Sequence, residues 1–242
     1  MARTTPYSDG IWLKREDEHE LGAFKWRGAQ AVLDQLRPPV VVTASTGNHG
    51  AATAWAAKRA GVRAIVFVPQ QASAAKVALI QAQGAELYRA GADMDEAKAA
   101  ARAYAAEHDA YFFEDGAEPA QFDGYEATGH ELLDELPEPA AVVVPVDSDR
   151  CSTFADGLAV RVAIPLAVAE LNPLVQQFEL VSEVELAQAV RAYAEAGIRV
   201  EGAAAAPLAL ARRESLPRPL VLIVTGRNVD GALFNRILTS EP

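Results

Sequence analysis

The chain has 242 residues, half of them hydrophobic and 23% charged, the balance of a folded protein with room for one large core or two modest ones. Its 33 acidic residues against 22 basic ones give a net charge of −11, which argues against nucleic acid and anionic membrane as partners. A single cysteine, Cys151, excludes a disulfide framework and a thiolate zinc cluster, and no apolar run approaches the roughly 20 residues of a membrane span.

The four histidines, His19, His49, His108 and His130, stand at no metal-ligand spacing, so no metal is expected. The absence of a charged and then apolar leader points to a reduced, cytoplasmic setting.

Along the chain, short apolar runs alternate with helical patterns, which predicts an α/β protein with parallel strands. Residues 11–15 read as the first strand, and a helical segment runs from Lys25 to Leu36. Strands then follow at 40–44, 64–69, 86–89 and 111–114, separated by alanine-rich helical stretches at 50–59, 74–83 and 93–107. Residues 124–131 read as a structural helix, and proline-containing 136–140 leads into a strand at 141–146. Further strands are expected at 178–181 and 220–225, with a helix at 183–196 between them. Gly61, Gly84 and Gly197 sit where those helices should stop.

The chain has 17 arginines but only five lysines. Lys58 lies near a helix end, Lys76 and Lys98 on polar helix faces, and Lys14 in a charged cluster with Arg15, Glu16 and Asp17. Lys25 differs, because Phe24 and Trp26 flank it at a helix start, where burial and the positive helix end favour a neutral amine. A surface lysine snorkelling past aromatic rings has the same local sequence. Residues 43–50 follow a strand and open a helix, aiming backbone N–H groups and small hydroxyls at one point, as a carboxylate or phosphate site does. An ordinary turn capped by Ser45 or Thr46 would share that placement, although Asn48 and His49 between two glycines are not needed for capping.

Gly22-Ala23-Phe24-Lys25-Trp26-Arg27-Gly28-Ala29 and Ser45-Thr46-Gly47-Asn48-His49-Gly50 together resemble the signature of fold-type II pyridoxal-phosphate (PLP) enzymes, within them the threonine/serine dehydratase family. Thr153-Phe154-Ala155-Asp156-Gly157-Leu158-Ala159-Val160, Val200-Glu201-Gly202-Ala203 and Thr225-Gly226-Arg227-Asn228 resemble later segments of the same family. The resemblance implies a two-domain, tryptophan synthase β-like fold of parallel open sheets flanked by helices. It places a small domain at 40–118 and builds the large one from 1–39 and 119–242.

The resemblance also implies PLP on Lys25, which would form the Schiff base and move the α-proton. Asn48 would bond the pyridoxal 3′-oxygen, and Ser45, Thr46, Gly47 and His49 would hold the substrate carboxylate. Gly157 and Glu201 would lie near the ring, and the Thr225 hydroxyl would face its nitrogen. A lone glutamate before small residues also reads as an ordinary helix N-terminal acid, and Arg227 receives no chemical role. The implied reaction dehydrates and deaminates threonine or serine to a 2-oxo acid and ammonia. Racemisation of the same substrates is its close variant, the partner is a small amino acid, and a homodimer is left open. A nucleotide-binding protein is disfavoured, since no G-x-G-x-x-G follows a strand.

The resemblance breaks after residue 146. The family has a glycine-rich turn, a helix and a further strand there, whose N–H groups bind the cofactor phosphate. Here Asp147-Ser148-Asp149-Arg150-Cys151-Ser152 runs directly on to Thr153, without a glycine and with two aspartates that would repel a dianion. The large domain is therefore expected to be incomplete, and a catalytically impaired relative becomes the competing reading.

Overall fold

The computed structural model describes residues 2–146, 153–159 and 164–239. The bridge at 147–152, with Cys151, and Val160 of the 153–160 segment lie outside the described residues. In the amino-terminal part, β1 (Thr4–Ser8) and β2 (Ile11–Arg15) precede α1 (Trp26–Leu36). Next come β3 (Val40–Ala44), α2 (Asn48–Ala60), β4 (Arg63–Val68), α3 (Ala74–Gln81), β5 (Glu86–Arg89), α4 (Met94–Glu107), β6 (Tyr111–Phe112) and α5 (Pro119–Glu135). The remainder holds β7 (Ala141–Val143), α6 (Pro165–Leu171), α7 (Glu183–Glu195), α8 (Gly202–Arg213), β8 (Leu220–Val224) and α9 (Gly231–Thr239). No helix among the described residues is long and apolar enough to cross a membrane.

The chain divides into two compact units, one of residues 25–127 and one of 1–24 with 128–242. The first takes in α1 and the start of α5, which the sequence expectation of 40–118 leaves outside. The physical reason is close packing: a Cβ on Gly124 of α5 would lie 2.4 Å from the Arg27 carbonyl oxygen on α1, so these helices touch backbone to backbone.

Within the 25–127 unit, the sheet runs β5-β4-β3-β6 with every pair parallel. Side chains alternate along β4 with the two-residue period of a strand, so this one element feeds two cores. Val66 and Val68 pack with Ala51 and Ala54 of α2 and with Val77 and Ile80 of α3. Ile65 and Phe67 pack with Ala101 and Ala105 of α4. The alanines on these helices let them lie close to the sheet.

The other unit has the sheet order β1-β2-β8-β7. All five residues of β8 are buried, which is why it reads as an unbroken apolar run. Leu220, Leu222 and Val224 join α7, α8 and α9 through Val190, Tyr193, Leu208 and Phe234. Val221 and Ile223 face Trp12 and Leu132.

The structure corrects several expectations. The stretch 178–181 is not a strand; Phe178 is 58% and Leu180 80% exposed, and the chain passes into the capping box of Ser182 and Glu185 that starts α7. Its alternating apolar pattern finds no neighbouring strand in the described sheet. The sequence reading also omits β1, whose proline is tolerated because the strand is an edge, pairing antiparallel with β2 alone among the described strands. The strand expected at 111–114 ends at Phe112, and the one at 141–146 ends at Val143. Lys14 is ion-paired but fully buried, its Nζ donating to the Ala2 carbonyl at 2.6 Å and reaching Glu131 at 3.1 Å and Glu135 at 3.4 Å.

Candidate active site

In the 25–127 unit, β3, β4 and β5 follow one another outward, and β6 then returns to the other side of β3. That reversal makes the gap between β3 and β6 a topological switch point, where open parallel sheets bind ligands beyond the carboxyl ends of their strands. The turn from Ser45 to His49 leaves β3 there, and the segment after β6 brings Asp115 to the same end.

Lys25 stands one residue before α1 and is 25% exposed. Its Nζ lies 2.8 Å from Asp115 Oδ2, an ion pair that the sequence reading, which surrounded the amine with aromatic rings, did not contain. Asp115 Oδ1 accepts from Gln121 Nε2 at 2.6 Å and lies 3.6 Å from His49 Nδ1. Burial pushes the Asp115 carboxyl up, but Lys25, His49 and the Gln121 bond together outweigh it and hold the group well below the usual carboxylate range.

His49 is almost fully buried, and burial pushes its ring below the usual imidazole value despite the nearby Asp115. The Thr43 hydroxyl donates to the Phe113 carbonyl at 2.8 Å, which leaves His49 Nε2 to donate to Thr43 Oγ1 at 3.1 Å. Nδ1 has no hydrogen-bond partner among the described residues and lies on the side of Asp115. Gln121 Nε2 also lies 2.9 Å from the Tyr125 hydroxyl, and burial pushes that phenol up to about 12. The Tyr125 ring in turn stands 6.0 Å from Lys25 Nζ.

The turn itself does not cap its helix through a side chain. Gly47 is the capping residue of α2, without a side-chain cap, while Ser45 Oγ accepts from the Gly47 N–H at 3.1 Å. No described residue lies within 4 Å of where a Gly47 Cβ would be, which leaves the backbone open on that side. Asn48 opens α2 beside it. Lys98 pairs with Glu114 at 3.0 Å, and Lys58 sits in the last turn of α2, where a cation suits the helix dipole.

In the other unit, three separately identified segments come together. Glu201 precedes α8, and its carboxylate does not cap that helix. It lies instead against Gly226, where an added Cβ would stand 2.6 Å from Glu201 Oε1. A Cβ on Gly157 would meet the same oxygen at 4.0 Å. Thr225, one residue beyond β8, has a buried hydroxyl with no hydrogen-bond partner among the described residues. Its carbonyl accepts from the Phe24 N–H at 3.0 Å, and Arg227 N–H donates to Gly22 O at 2.8 Å. The guanidinium of Arg227 reaches the His19 carbonyl at 3.4 Å, and Asn228 Nδ2 donates to Leu21 O at 2.7 Å. These bonds fasten residues 225–228 to the stretch that leads into Lys25.

Sequence reasoning passed over Asp115, Gln121 and Tyr125. The available signal for Asp115 was its place just beyond the end of a strand, although the neighbour that strand would find was not readable locally.

A family model described as pyridoxal-phosphate dependent enzyme matches residues 3–149. An L-threonine ammonia-lyase of Geobacter sulfurreducens is 31% identical over a 271-residue alignment that takes in 91% of this chain and 67% of the relative. That alignment is longer than the 242-residue chain itself, so the relative carries residues that this chain lacks. The L-threonine dehydratase biosynthetic IlvA of Haemophilus influenzae is 33% identical over 65% of this chain, which spans only 30% of its length. Among solved structures, a threonine deaminase of T.th. superposes with a TM-score of 0.87 at 26% identity, over 95% of this chain and 92% of the other. The fold is thus that of the fold-type II enzymes, and the chain belongs to the pyridoxal-phosphate dependent enzyme family.

Proposed function

We propose that the chain is a PLP-dependent lyase that dehydrates and deaminates a small hydroxy amino acid, threonine or serine, to a 2-oxo acid and ammonia. The observation that carries this reading is the meeting of Lys25, His49 and Asp115 at the switch point where the Ser45–His49 turn opens. Two features fit the cofactor. Lys25 supplies a primary amine at the switch-point end of the sheet, and Thr225 supplies a buried hydroxyl with no partner among the described residues. Lys25 would hold the cofactor, Asn48, Gly157 and Glu201 would line it, and Thr225 would orient its ring nitrogen.

When bound, PLP withdraws electrons from the substrate α-carbon and so makes its proton removable. The chain's own residues do the rest. The Lys25 amine takes up the α-proton. The open N–H groups and small hydroxyls of Ser45, Thr46 and Gly47, with His49, hold the carboxylate and fix the α-carbon near that amine. A hydroxyl rather than a carboxylate at Thr225 leaves the ring nitrogen largely unprotonated, which favours loss of a β-substituent over transamination.

Borohydride reduction of the PLP-loaded chain, followed by peptide mapping, tests the assignment. Label on Lys25, with 2-oxo acid released from threonine or serine, is the expected result. Label confined to Lys14, Lys58, Lys76 or Lys98 overturns it. A catalytically impaired relative is the second reading, favoured by the glycine-free bridge at 147–152 and by the residues that the Geobacter protein has and this chain lacks.

A further inference from the structure

Asp115 is more than a resting partner for a lysine. Its partners are Lys25 at 2.8 Å, Gln121 at 2.6 Å and the His49 ring at 3.6 Å. Of these, Lys25 brings the positive charge, whereas burial disfavours the charged form of His49 and Gln121 is an amide. Lys25 gives up that charge when it holds the cofactor and again when it stands as the neutral amine that takes up the α-proton, and the negative charge of Asp115 is then left uncompensated beside the turn that receives the substrate.

We propose that Asp115 sets the charge of the side chain this site accepts, excluding amino acids with an acidic side chain and admitting those with a neutral or cationic one. The inference rests on the function proposed above and narrows its substrate class. A side-chain carboxylate brought within about 4 Å of Asp115 meets like-charge repulsion. At the effective dielectric of a partly buried site, this weakens binding by roughly a hundredfold to a thousandfold. A β-hydroxyl can instead donate a hydrogen bond to Asp115, and a β-ammonium group can replace the cation that Lys25 withdraws. Gln121 fixes where this charge stands, since its amide donates to Oδ1 while its own oxygen accepts from the Gly116 N–H at 2.8 Å. Asp115 is therefore also held through Oδ1, the oxygen that does not pair with Lys25.

The test uses the whole chain at saturating PLP, as the unaltered protein, Asp115→Asn and Asp115→Glu. Cofactor loading of each is first established by absorbance. Serine, aspartate and 2,3-diaminopropionate are then titrated, and binding is followed as the change in the cofactor spectrum. Preference for serine over aspartate by about a hundredfold or more is expected in the unaltered chain, near-equal binding in Asp115→Asn, and a preserved preference in Asp115→Glu. Diaminopropionate should bind the unaltered chain at least as well as serine and lose affinity in Asp115→Asn. Equal binding of serine and aspartate by the unaltered chain overturns the inference, as does a preference that survives in Asp115→Asn. A chain that loads PLP yet binds none of the three amino acids, or loads no PLP, overturns the proposed function and this inference with it.

Discussion

Gly28, inside the lysine-bearing motif, should be intolerant of a single added methyl group. It lies in α1, and a Cβ there would stand 2.5 Å from Gln121 Cγ and 2.7 Å from Tyr125 Cζ on α5. Two effects oppose each other in Gly28→Ala. Alanine in a helix interior gains about 1 kcal/mol over glycine. Overpacking a full site costs about 1–3 kcal/mol, and moving Gln121 also disturbs its 2.6 Å bond to the Asp115 carboxylate, a type of bond that contributes about 1.5–3 kcal/mol. Gln121 is fully buried, so its side chain has little room to give way. The clash therefore wins, with a net loss of about 2 kcal/mol. Trp26 and Trp55 both lie in the 25–127 unit, so in a Trp12→Phe background tryptophan fluorescence reports on that unit alone. Urea unfolding of Gly28→Ala should then show a midpoint lower by about 1 M, at an m-value of about 2 kcal/mol/M. An unchanged or raised midpoint would mean that helix propensity prevails and that α1 and α5 are not packed as tightly as these distances require.

Two further outcomes follow from the same geometry. The His49 ring is held below its usual value by burial, so the unfolded chain binds a proton more readily than the folded one. Its contribution to stability is full above about pH 6.5 and falls as pH drops through that value. Urea midpoints measured between pH 8 and pH 5 should decline in the unaltered chain and decline less in His49→Gln; parallel curves would refute this. The second concerns the glycine-free bridge at 147–152. Losing two charge-assisted bonds to a phosphate, at about 1.5–3 kcal/mol each, should weaken PLP binding by roughly two to four orders of magnitude. A spectroscopic titration showing tight, stoichiometric PLP binding with rapid turnover would mean that another segment supplies the phosphate site.

The sequence by itself determined the elements whose burial is written in local pattern. Apolar runs placed β2, β3, β4 and β8 to within a residue or two, and the alanine-rich helices that alternate with the strands dictated parallel pairing in the sheet they separate. Glycine spacing around Lys25 and across Ser45–Gly50 marked two segments whose Lys25 and His49 both reach Asp115, because a backbone that must approach a ligand or another helix closely admits little else. What failed was what depends on a distant partner. Residues 178–181 have a strand pattern but no neighbour among the described strands, whereas β1 lacks the pattern and is held as an edge by β2. Only the tertiary structure decided that β6 lies beside β3, which carries Asp115 to Lys25 and His49 across a separation of 66 to 90 positions. It also decided that Glu201 turns from its own helix toward Gly226, and that the Thr225 hydroxyl is buried without a partner among the described residues. Charge pairing and desolvation depend on distance in space, and that distance is fixed by sheet order and helix packing rather than by any local run of residues.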